Sequence, residues 1–488
     1  MCFRLGFSLA LLVLAAPAQV PKTWDDRELA DWATPVAALK IRPGHYSELD
    51  YYQAPVDNLR TYPVYHPDRE PRGYWDSIVR RTSEPLVEPD ANRTATEWIR
   101  LGRRVFEELD LPTFRSGDPK LLARARSREE LAEAGVRPEP DGTIFGLRWV
   151  VTPNGVKLGV AECAFCHARR LANGVGVHGA PRNARGNALT AQLVAEGRRR
   201  RFRGDALATI LFRQFGVPWA QADVHTSLKT LTETELLKIT RVPVTGVIAR
   251  ENGSPLYPAK IPDLIGIRDR KYLDHTGTHR HRGVGDLMRY AALITGSDPM
   301  EFGTHRLLTP EQRRVPFRYS DETLYALAQY IYSLEPPENP NRRDPRAEAG
   351  EKIFHREQCS TCHTPPHYTS NKLTPARGFV PPEDHLQKLD TIPVSVDTDP
   401  GLALHTRKGT GYYKIPSLKG VWYRGLYLHD GVIGNLDDLF DPARLRDDYT
   451  PTGYAGYGVE KRAVRGHEFG IRLSPEERSQ LIAFLRTL

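Results

Sequence analysis

CAFCH, residues 163–167, is matched further along the chain by CSTCH, residues 359–363. The chain has 488 residues and five cysteines, and four of the five lie in these two copies of one pattern. On a helical turn Cys163 and Cys166 stand three apart and share a face. His167, four after Cys163, projects from nearly the same side. Two thiols so placed reach the two vinyl groups of one haem, and the imidazole beside them is delivered to the iron as an axial ligand. Cys359, Cys362 and His363 repeat the arrangement. A disulfide within each pair would account for the cysteines but not for the histidine that follows each. A zinc site wants about four ligands close together, and these pairs are nearly two hundred residues apart. A thioredoxin-like CxxC wants a βαβ setting, which the surrounding sequence does not offer. The expectation is two covalently bound haem c groups.

Around the motifs the chain repeats itself. IPDLIGIRDRKYLDHTG (261–277) matches IPSLKGVWYRGLYLHDG (415–431) at an offset of 154 residues. The same offset aligns LAQYIYSL (327–334) with LIAFLRTL (481–488). Upstream, LGRRVF (101–106) resembles AGEKIF (349–354), with Gly and Phe four apart on one helix face in each. Glycine there lets a second helix approach closely. Each unit runs leading helix, CxxCH, IPxLxG segment, HxG, closing helix. The predicted fold is mainly α: two tandem cytochrome c-like haem domains with long loops. A small β-hairpin insertion is expected in TIFGLRWVVTPNGVKLGVAE (143–162), turning around Pro153-Asn154-Gly155. The proline- and charge-rich stretch LEPPENPNRRDPRAEAG (334–350) sets a boundary near residue 340. The domains read as 92–340 and 341–488. Residues 19–91, rich in Tyr, Trp and Pro with weak periodicity, read as an extended segment wrapping the first unit.

The opening MCFRLGFSLALLVLAAPAQV reads as a secretory signal over residues 1–18. Arg4 gives a basic start, the apolar run is too short to span a bilayer comfortably, and Ala16-Pro17-Ala18 offers a cleavage site. No later segment is long and apolar enough to cross a membrane, so a periplasmic or secreted chain is expected. The net charge of +8, in an exported protein, points to an acidic partner or anionic surface rather than nucleic acid. The run Arg198-Arg199-Arg200-Arg201-Phe202-Arg203 reads as a solvated face.

The sixth ligand of each iron decides the function, because two strong ligands favour electron transfer and an open position admits oxygen or peroxide. Beyond the signal the chain holds only Met288 and Met300. Met288 reads as core and Met300 as a loop residue. His467, in RGHEFG before the closing helix, is the candidate for the second haem; the alternative is a surface or capping histidine. The offset puts Arg313 at the matching place in the first unit, and arginine cannot deprotonate to bind iron. The first haem is then the one to be open, with His178 and His275 as competing candidates over it. His429, the repeat partner of His275, suits a propionate contact or an alternative ligand. His279 and His281 read as supporting or surface residues, with a separate metal site as the lesser alternative.

Two CxxCH units in an exported chain resemble the bacterial di-haem cytochrome c peroxidase and MauG superfamily. IPSLKGVWYRGLYLHDG and the ending GHEFGIRLSPEERSQLIAFLRTL look closest to its rubber oxygenase-like branch, over roughly residues 92–488. The resemblance implies a periplasmic, mostly helical fold, a bis-histidine C-terminal haem and a reactive N-terminal haem. It also implies calcium between the haems, for which Asp397, Asp399 and Asn435 are candidates. The peroxidases use a methionine near the C-terminal end, whereas no methionine follows Met300 here. The expected function is a haem-dependent oxidoreductase, peroxidase- or oxygenase-like, using peroxide or oxygen and an electron donor or organic substrate. Trp422 or Tyr423 would bridge the haems or pack the core. The alternative is a non-catalytic di-haem electron-transfer protein.

Overall fold

Two crossed helix pairs frame the two motifs in the computed structural model. It describes residues 19–90, 92–161, 163–183, 188–202, 204–240, 245–249, 254–296 and 298–488; the signal-like stretch 1–18 lies outside them. In the first unit α1 (Ala95–Glu108) leads, α2 (Cys163–His167) carries the motif and α3 (Asp321–Tyr332) closes. In the second the same roles fall to α4 (Pro345–Arg356), α5 (Cys359–Cys362) and α6 (Pro475–Arg486). Capping boxes start α1 and α6: the Thr94 and Ser474 side chains accept the third helical N–H, and Glu97 and Glu477 reach back.

Gly102 of α1 faces the Ala326 carbonyl of α3 so closely that a Cβ would collide with it. Gly350 of α4 stands in the same relation to Gln480 of α6. Ala326 and Gln480 are themselves 154 apart. Phe106 and Phe354, one turn on, are buried beneath these crossings.

The hairpin of β2 (Thr143–Thr152) and β3 (Gly155–Val160) turns where expected, but it is not alone. β1 (Thr61–Tyr65), from the N-terminal segment, pairs antiparallel with β2, placing Thr61 opposite Val150. Pro63 hides this strand in the sequence, because proline demotes a run to an edge, where β1 indeed lies. Four further two-stranded antiparallel sheets occur among the described residues. The class is therefore mixed helical with small antiparallel sheets, not mainly α with one hairpin.

The N-terminal segment is less extended than expected. Asp25 and Ser47 cap short helices at Asp26–Leu29 and Glu48–Gln53. Trp24, Trp32 and Tyr51 are fully buried in the core that α1 and α3 share, with Cys163 packed against it. Backbone bonds pin the segment down: Thr34 N–H donates to the Thr278 carbonyl at 2.6 Å, and Arg280 N–H to that of Trp32 at 3.0 Å.

The units meet by exchange. Lys260 N–H donates to the His429 carbonyl at 2.9 Å, and Lys414 N–H to the His275 carbonyl at 2.9 Å. Lys260 Nζ donates to the Leu426 carbonyl at 3.0 Å, and Lys414 Nζ to that of Tyr272 at 3.1 Å. Every pair maps onto the other by the 154-residue offset. The units thus face each other across a local twofold, as two subunits do at an isologous contact.

Candidate functional site

The second motif has the more complete geometry. α5 opens at Gln358, whose backbone is left-handed, and presents Cys359 and Cys362 half-buried, with neither in a disulfide. Burial, then Glu357, pushes the Cys359 thiol up to about 11. His363 Nδ1–H donates to the carbonyls of Pro416, at 3.1 Å, and Tyr368, at 3.2 Å. Carbonyls only accept, so these bonds fix the tautomer and leave the lone pair on Nε2. Pro416 belongs to the repeated IPSLKG segment, which ties that segment to the motif.

The His467 ring lies 6.3 Å from the His363 ring, centroid to centroid, at 65°. A metal–imidazole bond is about 2 Å long, so two rings flanking one ion sit roughly 6 Å apart between centroids. The pair has that spacing. Burial, then His363 and Arg444, pulls the His467 imidazole down to about 4; burial also lowers His363. Both are therefore neutral near pH 7, the form that ligates.

His467 is held on its loop from behind. Gly466 and His467 both have left-handed backbone, and a Cβ at Gly466 would strike the Asp397 carbonyl. His467 N–H donates to the Val396 carbonyl at 2.7 Å. Arg444, fully buried, donates to the carbonyls of Leu439 at 2.9 Å, Gly466 at 3.1 Å, His467 at 2.9 Å and Val464. A cavity of about 480 Å³ opens beside His467. Leu428, Val432 and Val464 give it an apolar wall, and its charged lining is Arg377, Arg462 and Arg465 with Asp399, Asp430 and Asp447.

In the first unit α2 is followed by β4 (Ala168–Arg170) and β5 (Gly176–His178), which pair antiparallel. Gly179 N–H donates to the His167 carbonyl at 2.7 Å. His178 is turned to the helix pair: Nδ1 shares a 2.6 Å hydrogen bond with the Tyr330 hydroxyl, and Nε2 lies 3.8 Å from Glu107 Oε1. Its ring packs between Phe106 and Tyr330 as Tyr368 packs between Phe354 and Phe484. His275 Nε2–H donates to the Lys260 carbonyl at 2.8 Å. His429 stacks on Tyr413 at 4.3 Å and borders the cavity at His467. Met288 is buried in its helix, and Met300 in a cluster with Phe202, Ile210 and Leu308.

The remaining candidates are spent locally. His281 bonds the Tyr332 hydroxyl and the Arg270 carbonyl. Asn435 caps a helix through Asp438 N–H, and Asp399 accepts from Gly401 N–H. No group of three or more His, Cys, Asp or Glu side chains fit to hold a metal ion forms among the described residues. Tyr423 is buried and donates to Asp263 at 3.2 Å; Trp422 packs beside it. In the basic run, Arg199 pairs with Glu233 and Arg200 donates to the Arg115 carbonyl at 2.6 Å. No helix among the described residues is long and apolar enough to cross a membrane.

Sequence reasoning missed Arg444, Lys260 and Lys414. The lysines had a signal: both repeats begin KIP, one residue before the segment quoted above. Burial pushes Lys260 down to about 8 and Lys414 to about 7, with Arg424 and Arg270 respectively adding to the effect.

No protein-family description matches the chain, and no curated protein matches it. Among solved structures, hydrazine synthase of Kuenenia stuttgartiensis, pressurised with xenon, is 18% identical. That match covers 47% of this chain and 72% of that one, at a TM-score of 0.27. A MauG-like protein associated with microbial copper homeostasis is 13% identical, covering 59% of this chain and 88% of that one, at a TM-score of 0.32. At these scores neither similarity bears on fold or function.

Proposed function

We propose that the chain is an exported di-haem c-type cytochrome acting as an oxidoreductase, with the first haem reactive and the second relaying electrons. The observation that carries this is the facing pair His363 and His467, 6.3 Å apart beside two cysteines outside any disulfide. Cys359, Cys362, His363 and His467 would hold the second haem, and Cys163, Cys166 and His167 the first. Bound haem supplies one-electron chemistry, and uptake of a small oxidant where a coordination position is open.

The chain's own residues divide the two roles. Pro416 and Tyr368 orient His363, and Arg444 orients His467, so the second site has two ordered, neutral imidazoles. Fixed ligation of that kind suits electron relay. In the first unit Arg313 stands at the offset counterpart of His467 and is paired with Glu301. That leaves the first site for the oxidant. The net charge of +8 suits an acidic electron partner.

Haem stoichiometry and electron paramagnetic resonance of the oxidised protein test this. Two haems per chain, one high-spin and one low-spin, are expected. His467→Ala should convert the low-spin signal to high-spin with both haems still covalently attached. An unchanged spectrum would remove His467 from the iron.

A further inference from the structure

The first unit lacks a histidine at the place of His467, yet the N-terminal segment furnishes that region. Arg313, at that place, pairs with Glu301, and the Glu301 carbonyl accepts Gly44 N–H at 2.8 Å. Pro43 bridges to Phe302 in the same short strand. The next side chain along is His45. Both of its ring nitrogens are buried, and neither has a hydrogen-bond partner among the described residues.

Its neighbours tell the same story. The His45 ring lies 5.2 Å from Trp32, 5.6 Å from His279 and 6.3 Å from Trp24. His279 is fully buried; its Nδ1 lies 3.1 Å from Asp274 Oδ2, and its Nε2 lacks a partner among the described residues. The Tyr46 hydroxyl, buried as well, also lacks one. Asp274 and Thr278, which flank His279, are the offset counterparts of Leu428 and Val432, two residues of the cavity wall at His467. A buried polar atom left without a partner costs about 1–3 kcal/mol. Three such atoms on the two side chains in ring contact, His45 and His279, point to a polar molecule that completes them.

We propose that His45 faces the open side of the first haem and hydrogen-bonds a small ligand of peroxide or azide size that binds there. This rests on the haem reading of Cys163, Cys166 and His167. Burial holds the His45 imidazole well below its usual range, so it is neutral, with one nitrogen to donate and one to accept. The His279 ring stands beside it at 5.6 Å.

The test is azide binding to the oxidised full-length protein, followed optically, with covalent haem counted in each preparation. His45→Ala should retain two haems and weaken azide binding about tenfold, the worth of one hydrogen bond to a charged group. His45→Gln, which keeps a donor, should stay within about threefold of the parent on the same reasoning. The low-spin signal of the second haem should not move. His45→Leu, closer in volume, replaces His45→Ala if that protein does not accumulate. Two haems with unchanged azide affinity in His45→Ala or His45→Leu would overturn the proposal while leaving the haem reading intact. Fewer than two haems in the parent protein would overturn both.

Discussion

At the scale of single residues, Arg444 decides whether His467 stays where it is. Its guanidinium reaches four backbone carbonyls, two of them at Gly466 and His467. Arg444→Ala would leave those acceptors buried without donors, at a cost of about 3 kcal/mol or more. Thermal denaturation should show that loss, and part of the low-spin signal should turn high-spin. Arg444→Lys should rescue little, because a point ammonium cannot reproduce the planar fork. Normal stability and spectrum in Arg444→Ala would show that the loop holds itself. The pairing of His363 with His467 was legible because CxxCH and GHEFG are local patterns. Arg444 was not, because a lone arginine gains its meaning only from burial, and burial is set by distant residues. His45 escaped notice for a related reason: its stretch has no period to say which side faces inward.

At the scale of elements, the crossings of α1 with α3 and α4 with α6 depend on the absence of two side chains. Alanine is the better helix former by about 1 kcal/mol at an exposed position. At Gly102 or Gly350 the sign should reverse, since the new methyl would meet backbone that cannot turn aside. Gly350→Ala should destabilise by about 3 kcal/mol, as overpacking does. Urea denaturation read at both units would show whether the damage spreads to the first. A neutral or stabilising result would mean that the helices slide apart freely. The spacing of Gly and Phe announced these crossings in the sequence. β1 stayed hidden because Pro63 weakens it and the partner of Thr61 lies some ninety residues away, at Val150.

At the scale of the whole molecule, the sequence shows the repeat as a translation of 154 residues, whereas in the fold the matched residues exchange reciprocal bonds. Nothing in a list of matched residues says that Lys260 serves the second unit and Lys414 the first. Yet the reciprocal bonds make each unit the other's partner, so the two halves of the chain meet as the two copies of a homodimer would. The stretch 334–344 between α3 and α4 is then a tether that raises the effective concentration of one half around the other. Fragments 19–340 and 341–488, produced together, should co-purify and regain the low-spin signal. Lys260→Met and Lys414→Met in the same pair should abolish that association. Fragments that each fold and load haem alone, with no tendency to meet, would mean that the contact is incidental. If they do meet, the asymmetry has a direct chemical sense: two identical copies would carry the same side chain at every matched place, whereas one chain can set His467 in one half against Arg313 in the other.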